Sequence, residues 1–177
     1  MAADTVSSTG SDGLNRWDLL DPEAFLAEIA DCVALTPGRV LLALVDEPAT
    51  RQRVRGVTVL WKGRGPRDET DVDDALVEAM HRLGVGDGDW SEDRRRSSAI
   101  VVVVIRRGRT FSRAADWRPS FRYFYTRQYA RPMLGDVILV TEHGWSVLGE
   151  DVHGLVPRAA EDDIGAGMPA TVPAWDR

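Results

Sequence analysis

The sequence predicts a single α/β domain, a mixed β-sheet flanked by helices. Three short, largely apolar runs, at 40–45, 98–105 and 137–141, have the composition of strands that are covered on both faces. Stretches with apolar residues at helical spacing lie between these runs, an alternation that is typical of α/β domains. With 177 residues, the chain is long enough for one domain of this kind with a substantial core.

The first third of the chain predicts a helix and a β-hairpin. Asp21 is a suitable N-cap and Pro22 a suitable first helical residue, and Thr-Pro-Gly at 36–38 ends the helix. The apolar run 40–45 predicts the first strand. After a turn, residues 54–61 alternate in polarity and predict an antiparallel return strand.

The middle of the chain predicts a second helix and the central strand. Residues 71–83 carry apolar side chains at helical spacing and acids in the first turn, where the helix dipole favours negative charge. An acidic glycine-containing loop at 85–93 follows. Residues 98–105 (SAIVVVVI) form the most hydrophobic strand, which we expect at the centre of the sheet.

An arginine-rich loop at 106–113 follows this strand, and then an aromatic helix that starts at Asp116 or Ser120 and ends near residue 131. On this helix, the side chains predicted to face the core are Phe121, Phe124, Tyr125 and Gln128.

The end of the domain predicts two more strands, at 137–141 and 145–148, joined by a tight turn at 142–144. The predicted element order is therefore α-β-β-α-β-α-β-β. Residues 1–13 and 157–177 lack periodicity, so we expect a disordered N-terminal tail, one α/β domain over 14–156 and a flexible C-terminal tail.

Composition narrows the setting and the chemistry. The one cysteine, Cys32, cannot form an internal disulfide, and no apolar run approaches the length needed to cross a bilayer. The N-terminus lacks the features of a secretory signal, so we expect a cytoplasmic protein with no membrane contact. No phosphate-binding glycine loop or nucleophile elbow occurs, so the sequence predicts no cofactor.

Charge is distributed very unevenly. Residues 94–131 hold eleven arginines and one acid, Asp116, a local charge of +10, while the whole chain carries −6. Three interpretations are open. The arginines pair with acids of the same chain, such as those at 71–74 and 87–93; or they clamp the phosphates of a nucleic acid whose bases stack on exposed aromatic rings; or they face an acidic protein, including a second copy of this chain.

Element order and local pattern resemble the JAB/MPN metalloprotease-like fold, in particular its bacterial RadC-type branch. The resemblance spans residues 40–150 and is strongest in SSAIVVVV and GDVILVTEHGWSVL. In that family, a metal-binding loop with two histidines one residue apart follows the first of these segments, and a Ser and an Asp lie at the next helix start. The resemblance would make Ser112, Asp116 and, in the first hairpin, Glu47 the counterparts of functional residues.

The family's histidine positions are occupied here by Val104 and Arg106, and neither side chain ligates zinc. The sequence therefore favours a metal-free, non-catalytic domain that binds an acidic partner, protein or nucleic acid, through the arginine-rich loop and the aromatic helix. The alternative is a metal-dependent hydrolase or nuclease with carboxylate ligands such as Asp116, Asp136 and Glu142. The predicted binding residues are Arg106, Arg107, Arg109, Arg113, Trp117, Arg118, Arg122, Tyr123, Arg127 and Arg131.

Overall fold

Six strands form one mixed β-sheet with helices on both faces. The computed structural model describes residues 16–63, 65, 68–85, 91–126 and 132–160. The helices are α1 (Pro22–Cys32), α2 (Glu69–Arg82), α3 (Glu92–Ser97), a 3₁₀ helix (Ala114–Trp117) and α4 (Arg118–Thr126). The strands are β1 (Arg39–Asp46), β2 (Arg53–Lys62), β3 (Ser98–Ile105), β4 (Met133–Thr141), β5 (Gly144–Val147) and β6 (His153–Gly154).

The strand order in the sheet is β2-β1-β3-β4-β5-β6. The β3–β4 pair is parallel, and every other neighbouring pair is antiparallel. Ile105 pairs with Val140, so β3 and β4 end side by side at one edge of the sheet. The loop that follows β3 therefore starts beside the end of β4.

Each face of the sheet carries its own core. Ile100, Val102 and Val104 point to the face covered by α2 and α4, while Val101, Val103 and Ile105 point to the face covered by α1. All eight residues of β3 are buried, as predicted for the central strand. This burial on both faces explains the continuous apolar run in the sequence, because neither side of the strand meets solvent.

Side-chain caps fix the helix starts. The Asp21 carboxylate accepts a hydrogen bond from the Ala24 N–H (2.9 Å), which confirms the predicted start of α1. Asp68 caps α2 in the same way through the Asp71 N–H (2.9 Å), so α2 begins two residues before the predicted start. Ser91 caps α3, a short helix that the sequence did not predict and that lies at the junction of the predicted acidic loop and β3.

The mixed α/β architecture is confirmed, but the element order differs from the predicted one. The structure adds α3, the 3₁₀ helix and β6. It also extends the domain past residue 156: the Ala159 N–H donates to the Thr141 carbonyl (3.1 Å), and the Ala160 N–H to the Leu35 carbonyl (2.7 Å). The segment up to Ala160, called the C-terminal strap below, is held by isolated hydrogen bonds and has no periodic pattern of apolar residues. The sequence therefore did not predict that it belongs to the domain.

Several predictions fall outside the described residues: the disordered segment 1–13, residues 161–177 of the tail predicted at 157–177, residues 86–90 of the acidic loop, and residues 127–131 at the end of the aromatic helix. Among the residues that are described, no helix combines the length and the apolar composition needed to cross a bilayer.

Candidate interaction surface

The segment 106–113, called the arginine loop below, begins where β3 ends. The backbone N–H of Arg106 donates to the Val140 carbonyl (3.1 Å), which continues the parallel pairing of β3 with β4 by one residue. The chain then leaves the sheet, and Gly108 takes the left-handed backbone conformation (φ +100°) that other residues adopt with strain. The loop is therefore anchored to the sheet edge at its first residue.

The side chain of Arg106 points into the loop. Its guanidinium donates two hydrogen bonds of 2.9 Å to the Asp116 carboxylate. It also donates to the carbonyls of Arg107 (3.2 Å), Arg109 (3.1 Å) and Phe111 (2.6 Å). The side chain is 15% exposed. The prediction that Arg106 lies exposed on the loop is wrong, because its guanidinium donors are directed to Asp116 and to carbonyls of the loop.

Asp116 completes this arrangement from below. The residue is 3% exposed, and its carboxylate accepts from the Arg113 N–H (2.8 Å) in addition to Arg106. The first of these contacts stabilises the start of the 3₁₀ helix, as expected for an acid in a first turn. Asp116 thus works as a structural acid that joins the loop to the helix, and its oxygens are already occupied.

Two residues of the β4–β5 hairpin hold the loop from the other side. Both Glu142 oxygens lie 3.0 Å from the Gly108 nitrogen, and the Ser146 hydroxyl donates to the Thr110 carbonyl (3.1 Å). Hydrogen bonds from its own backbone N–H and from Gly108 lower the pKa of Glu142, and His143 and Arg107 contribute to the same effect. Glu142 is therefore held in its ionised form against the loop backbone.

The side chains of the loop that point outward are cationic and aromatic. Arg107, Arg109 and Arg113 are exposed, and Phe111 is 73% exposed. Arg109 and Arg113 form no ion pair with any other residue that the structure describes. The loop thus turns its carbonyls inward to Arg106 and Ser146 and presents guanidinium groups to solvent.

On α4, two predicted binding residues contact α2 instead. The Arg122 guanidinium binds both oxygens of Asp73 and also Glu69 (2.7 Å). The Arg118 guanidinium donates to the Asp68 carbonyl (3.0 Å). These contacts confirm, for Arg106 and Arg122, the interpretation in which arginines pair with acids of the same chain. They also offset the repulsion between Arg118 and Arg122, which lie one helical turn apart.

The aromatic residues are arranged differently from the prediction. Tyr123 is fully buried, and its hydroxyl donates to the Pro132 carbonyl (2.7 Å). Its ring therefore cannot stack on a base of a bound nucleic acid. Trp117 is half-buried, and its indole N–H donates to the Ser112 hydroxyl (2.8 Å). Phe121, predicted in the core, is 57% exposed and stacks on Trp117 at a centroid distance of 6.1 Å.

The buried face of α4 explains this exchange. Ser120 (2% exposed) and Tyr123 point to the sheet, so Phe121 lies on a neighbouring face of the helix. Because Ser120 is polar, the buried face of α4 does not show as a row of apolar residues in the sequence. Phe111 was missed for a different reason: it stands alone in a polar loop, outside any periodic run.

A shallow groove lies beside these rings, between the start of α2 and the start of α4. Its volume is about 580 Å³, and it is lined by Glu69, Ala114, Ala115, Arg118, Phe121 and Arg122. Arg127 and Arg131, the remaining predicted binding residues, lie outside the described part of the chain.

The positions that correspond to the metal site of the JAB/MPN pattern do not converge. Val104 is buried in the core, and Arg106 binds Asp116. Glu47 follows Asp46, which pairs with Ser98 at the start of β3, whereas Asp116 lies beyond its end. Eight strand residues separate the two ends, a distance of about 25 Å. Glu47, the counterpart that the resemblance suggests for the family's glutamate, therefore lies far from Asp116 in this fold.

The carboxylates of the metal-enzyme alternative are also spread apart. Asp136 lies within β4 and Glu142 follows that strand, six residues and about 20 Å further along. Asp116 is at the Glu142 end, since both contact the arginine loop. The three acids named from the sequence do not form a common site.

Asp136 instead meets two acids that the sequence gave no reason to combine. Ligand oxygens of Asp18, Asp136 and Glu150 lie within 4.8 Å of one another. Asp136 is 8% exposed and accepts from the Leu19 N–H (2.7 Å). Burial, together with the charges of Glu150 and Asp18, raises the pKa of Asp136 to about 6, although the hydrogen bond from Leu19 acts in the opposite direction.

Comparison of this chain with protein-family models, with curated proteins and with solved structures gives no match. The residues and their geometry are therefore the basis for any functional assignment.

Proposed function

We propose that this chain is a non-catalytic interaction domain that binds an acidic partner through the arginine loop. The binding set that we propose is smaller than the one predicted from sequence: Arg107, Arg109 and Arg113 with Phe111. Arg106, Arg122 and Tyr123 belong to the internal structure of the site.

One observation carries the proposal: Arg106 is bound to a buried acid, and the other loop arginines are exposed. Asp116 is buried against Arg106, whereas Arg107, Arg109, Arg113 and the phenyl ring of Phe111 are exposed. A chain with an overall charge of −6 thus presents a local cationic surface. Guanidinium groups on a fixed backbone suit carboxylate or phosphate groups, because their planar donor sets match those oxygens.

The proposal extends to descent and location. We infer a metal-free relative of the JAB/RadC-type domains, supported by the local order β3, loop, α4, β4 and β5 and by the aliphatic and guanidinium side chains at the two histidine positions. We place the protein in the cytoplasm, supported by its single cysteine. The acidic partner can be a nucleic acid, another protein or a second copy of the chain, and the loop chemistry is common to all three.

Immobilised heparin, a sulfated polyanion, tests the surface without knowledge of the natural partner. We expect the wild-type protein to be retained despite its negative net charge, and the variant R107E/R109E/R113E to lose that retention. The matched control is R51E/R53E/R55E, which makes the same change in net charge in and beside the β1–β2 turn, at the opposite end of the sheet.

Retention of the control variant together with loss in the loop variant would support the proposal, provided that both variants give the wild-type circular dichroism spectrum. If the wild-type protein is not retained, or if both variants lose retention equally, the arginine loop is not the binding surface.

A further inference from the structure

We propose that the acidic partner is a single-stranded nucleic acid, whose phosphates bind the loop arginines and one of whose bases stacks on Phe111. This inference rests on the proposed function of the arginine loop and narrows its partner to one chemical class. Three features of the loop carry it: the exposure of Phe111, the spacing of the flanking cations and the internal use of the helix arginines.

The phenyl ring of Phe111 is presented on a fixed backbone. Its carbonyl accepts a hydrogen bond of 2.6 Å from Arg106, and the next residue, Ser112, accepts one from the Trp117 indole. The ring itself remains 73% exposed. Because the loop backbone is already ordered, stacking of a base on the ring requires little further loss of conformational entropy.

Arg109 and Arg113 stand two residues to either side of this ring. A two-residue step spans at most about 7 Å, so the backbone of each arginine lies within about one nucleotide length of the backbone of Phe111. Arg113 has extended backbone angles (φ −119°, ψ 155°). The order cation, ring, cation along the loop matches the order phosphate, base, phosphate along a single strand.

The surface continues beyond the loop. Trp117 contacts Ser112 through its indole N–H and stacks on Phe121, which is 57% exposed. Along the chain, Phe111 in the loop is followed by Trp117 at the end of the 3₁₀ helix and by Phe121 on α4. A second base has a ring available at Phe121.

A duplex fits this surface less well. Readout of the major groove of a duplex uses a helix or a two-stranded ribbon that carries free polar side chains into the groove. On α4, Arg122 is bound to Asp73 and Glu69, and Arg118 to the Asp68 carbonyl. An acidic peptide would use the arginines, but its carboxylates make no use of the exposed ring.

Fluorescence anisotropy with two labelled 12-mers tests the inference: an oligothymidine and a strand of the same phosphate count in which every base is absent. Phe111→Leu keeps an apolar side chain and removes the aromatic face. We expect this substitution to weaken oligothymidine binding about tenfold, as for loss of one stacked base. Binding of the abasic strand should change by less than twofold, because that strand has no base to lose.

The salt dependence provides a second readout. Three phosphate contacts predict a slope of about −2 for the logarithm of the association constant against the logarithm of salt concentration. The variant R107E/R109E/R113E should abolish this binding, while R51E/R53E/R55E should keep it within about twofold, as expected for charges far from the site.

Three outcomes would overturn the inference: equal effects of Phe111→Leu on both strands, tighter binding of a 12-base-pair duplex, or equal or tighter binding of a 12-residue polyglutamate. Heparin retention that still depends on the loop arginines would show, in each of these cases, that the proposed function survives and that its partner belongs to another class. If the wild-type protein is not retained on heparin, both the proposed function and this inference are wrong.

Discussion

The Arg106 guanidinium and the Asp116 carboxylate face each other through two hydrogen bonds of 2.9 Å beneath the arginine loop. Both side chains are largely shielded from solvent, with exposures of 15% and 4%. The same guanidinium binds three loop carbonyls. This pair thus shapes the loop, and the neighbouring arginines take their outward positions from it.

Removing the negative partner should destabilise the domain. In Asp116→Asn, the Arg106 charge stays shielded from water without a matching anion, and we expect a loss of about 3 kcal/mol in the free energy of unfolding. Urea denaturation followed by circular dichroism measures it. Asp151→Asn, which neutralises a fully exposed acid, is the control and should change stability by less than about 0.5 kcal/mol. Equal stability of the two variants would contradict the structural role of Asp116.

The Tyr123 hydroxyl should matter for stability and not for binding. Tyr123→Phe removes the buried hydrogen bond to the Pro132 carbonyl and leaves that oxygen without this donor. We expect a loss of about 1 to 2 kcal/mol in the free energy of unfolding and unchanged retention on heparin. Normal stability with reduced retention would instead place Tyr123 in the binding surface.

Asp136 should make the domain less stable as pH rises from about 4 to about 6. Burial raises its pKa from 3.8 to about 6, so in this interval the native state keeps a proton that the unfolded chain releases. The native state then binds more protons than the unfolded state, and stability falls with increasing pH. The full difference corresponds to about 3 kcal/mol.

The variant Asp136→Asn tests this dependence. Its amide oxygen still accepts the Leu19 N–H but carries no charge, so the variant should be more stable than the wild type at pH 7.5 and show a smaller decline between pH 4 and 6. Denaturation midpoints across that interval measure both effects. Parallel pH curves for the two proteins would show that Asp136 does not titrate as described.

The sheet was largely predictable, and the reason is visible in β3. Its continuous β-branched run has one good solution, a strand covered on both faces, and the structure places β3 at Ser98–Ile105 as predicted. The helix cap formed by Asp21 involves only residues 21–24, so a short sequence pattern was enough to predict it. The C-terminal strap to Ala160 has no local pattern, and it was missed.

The site was less predictable because its arginines differ only in their partners. Arg106 and Arg107 are adjacent and identical in sequence, but Arg106 finds an acid ten residues away and is withdrawn from the surface. Phe121 and Tyr123 exchange their predicted environments because Ser120, a polar residue, occupies the buried face of α4. Such choices depend on contacts between elements, which a periodic pattern does not encode.

The most direct test of the account is an NMR titration of the isotopically labelled protein with a heparin hexasaccharide. We expect saturable shifts that are largest for the backbone amides of residues 107–113 and for the Trp117 indole N–H, which lies against the loop at Ser112. Saturable shifts centred instead on the β1–β2 turn at residues 47–52, or no saturable shifts at all, would contradict the assignment of binding to the arginine loop.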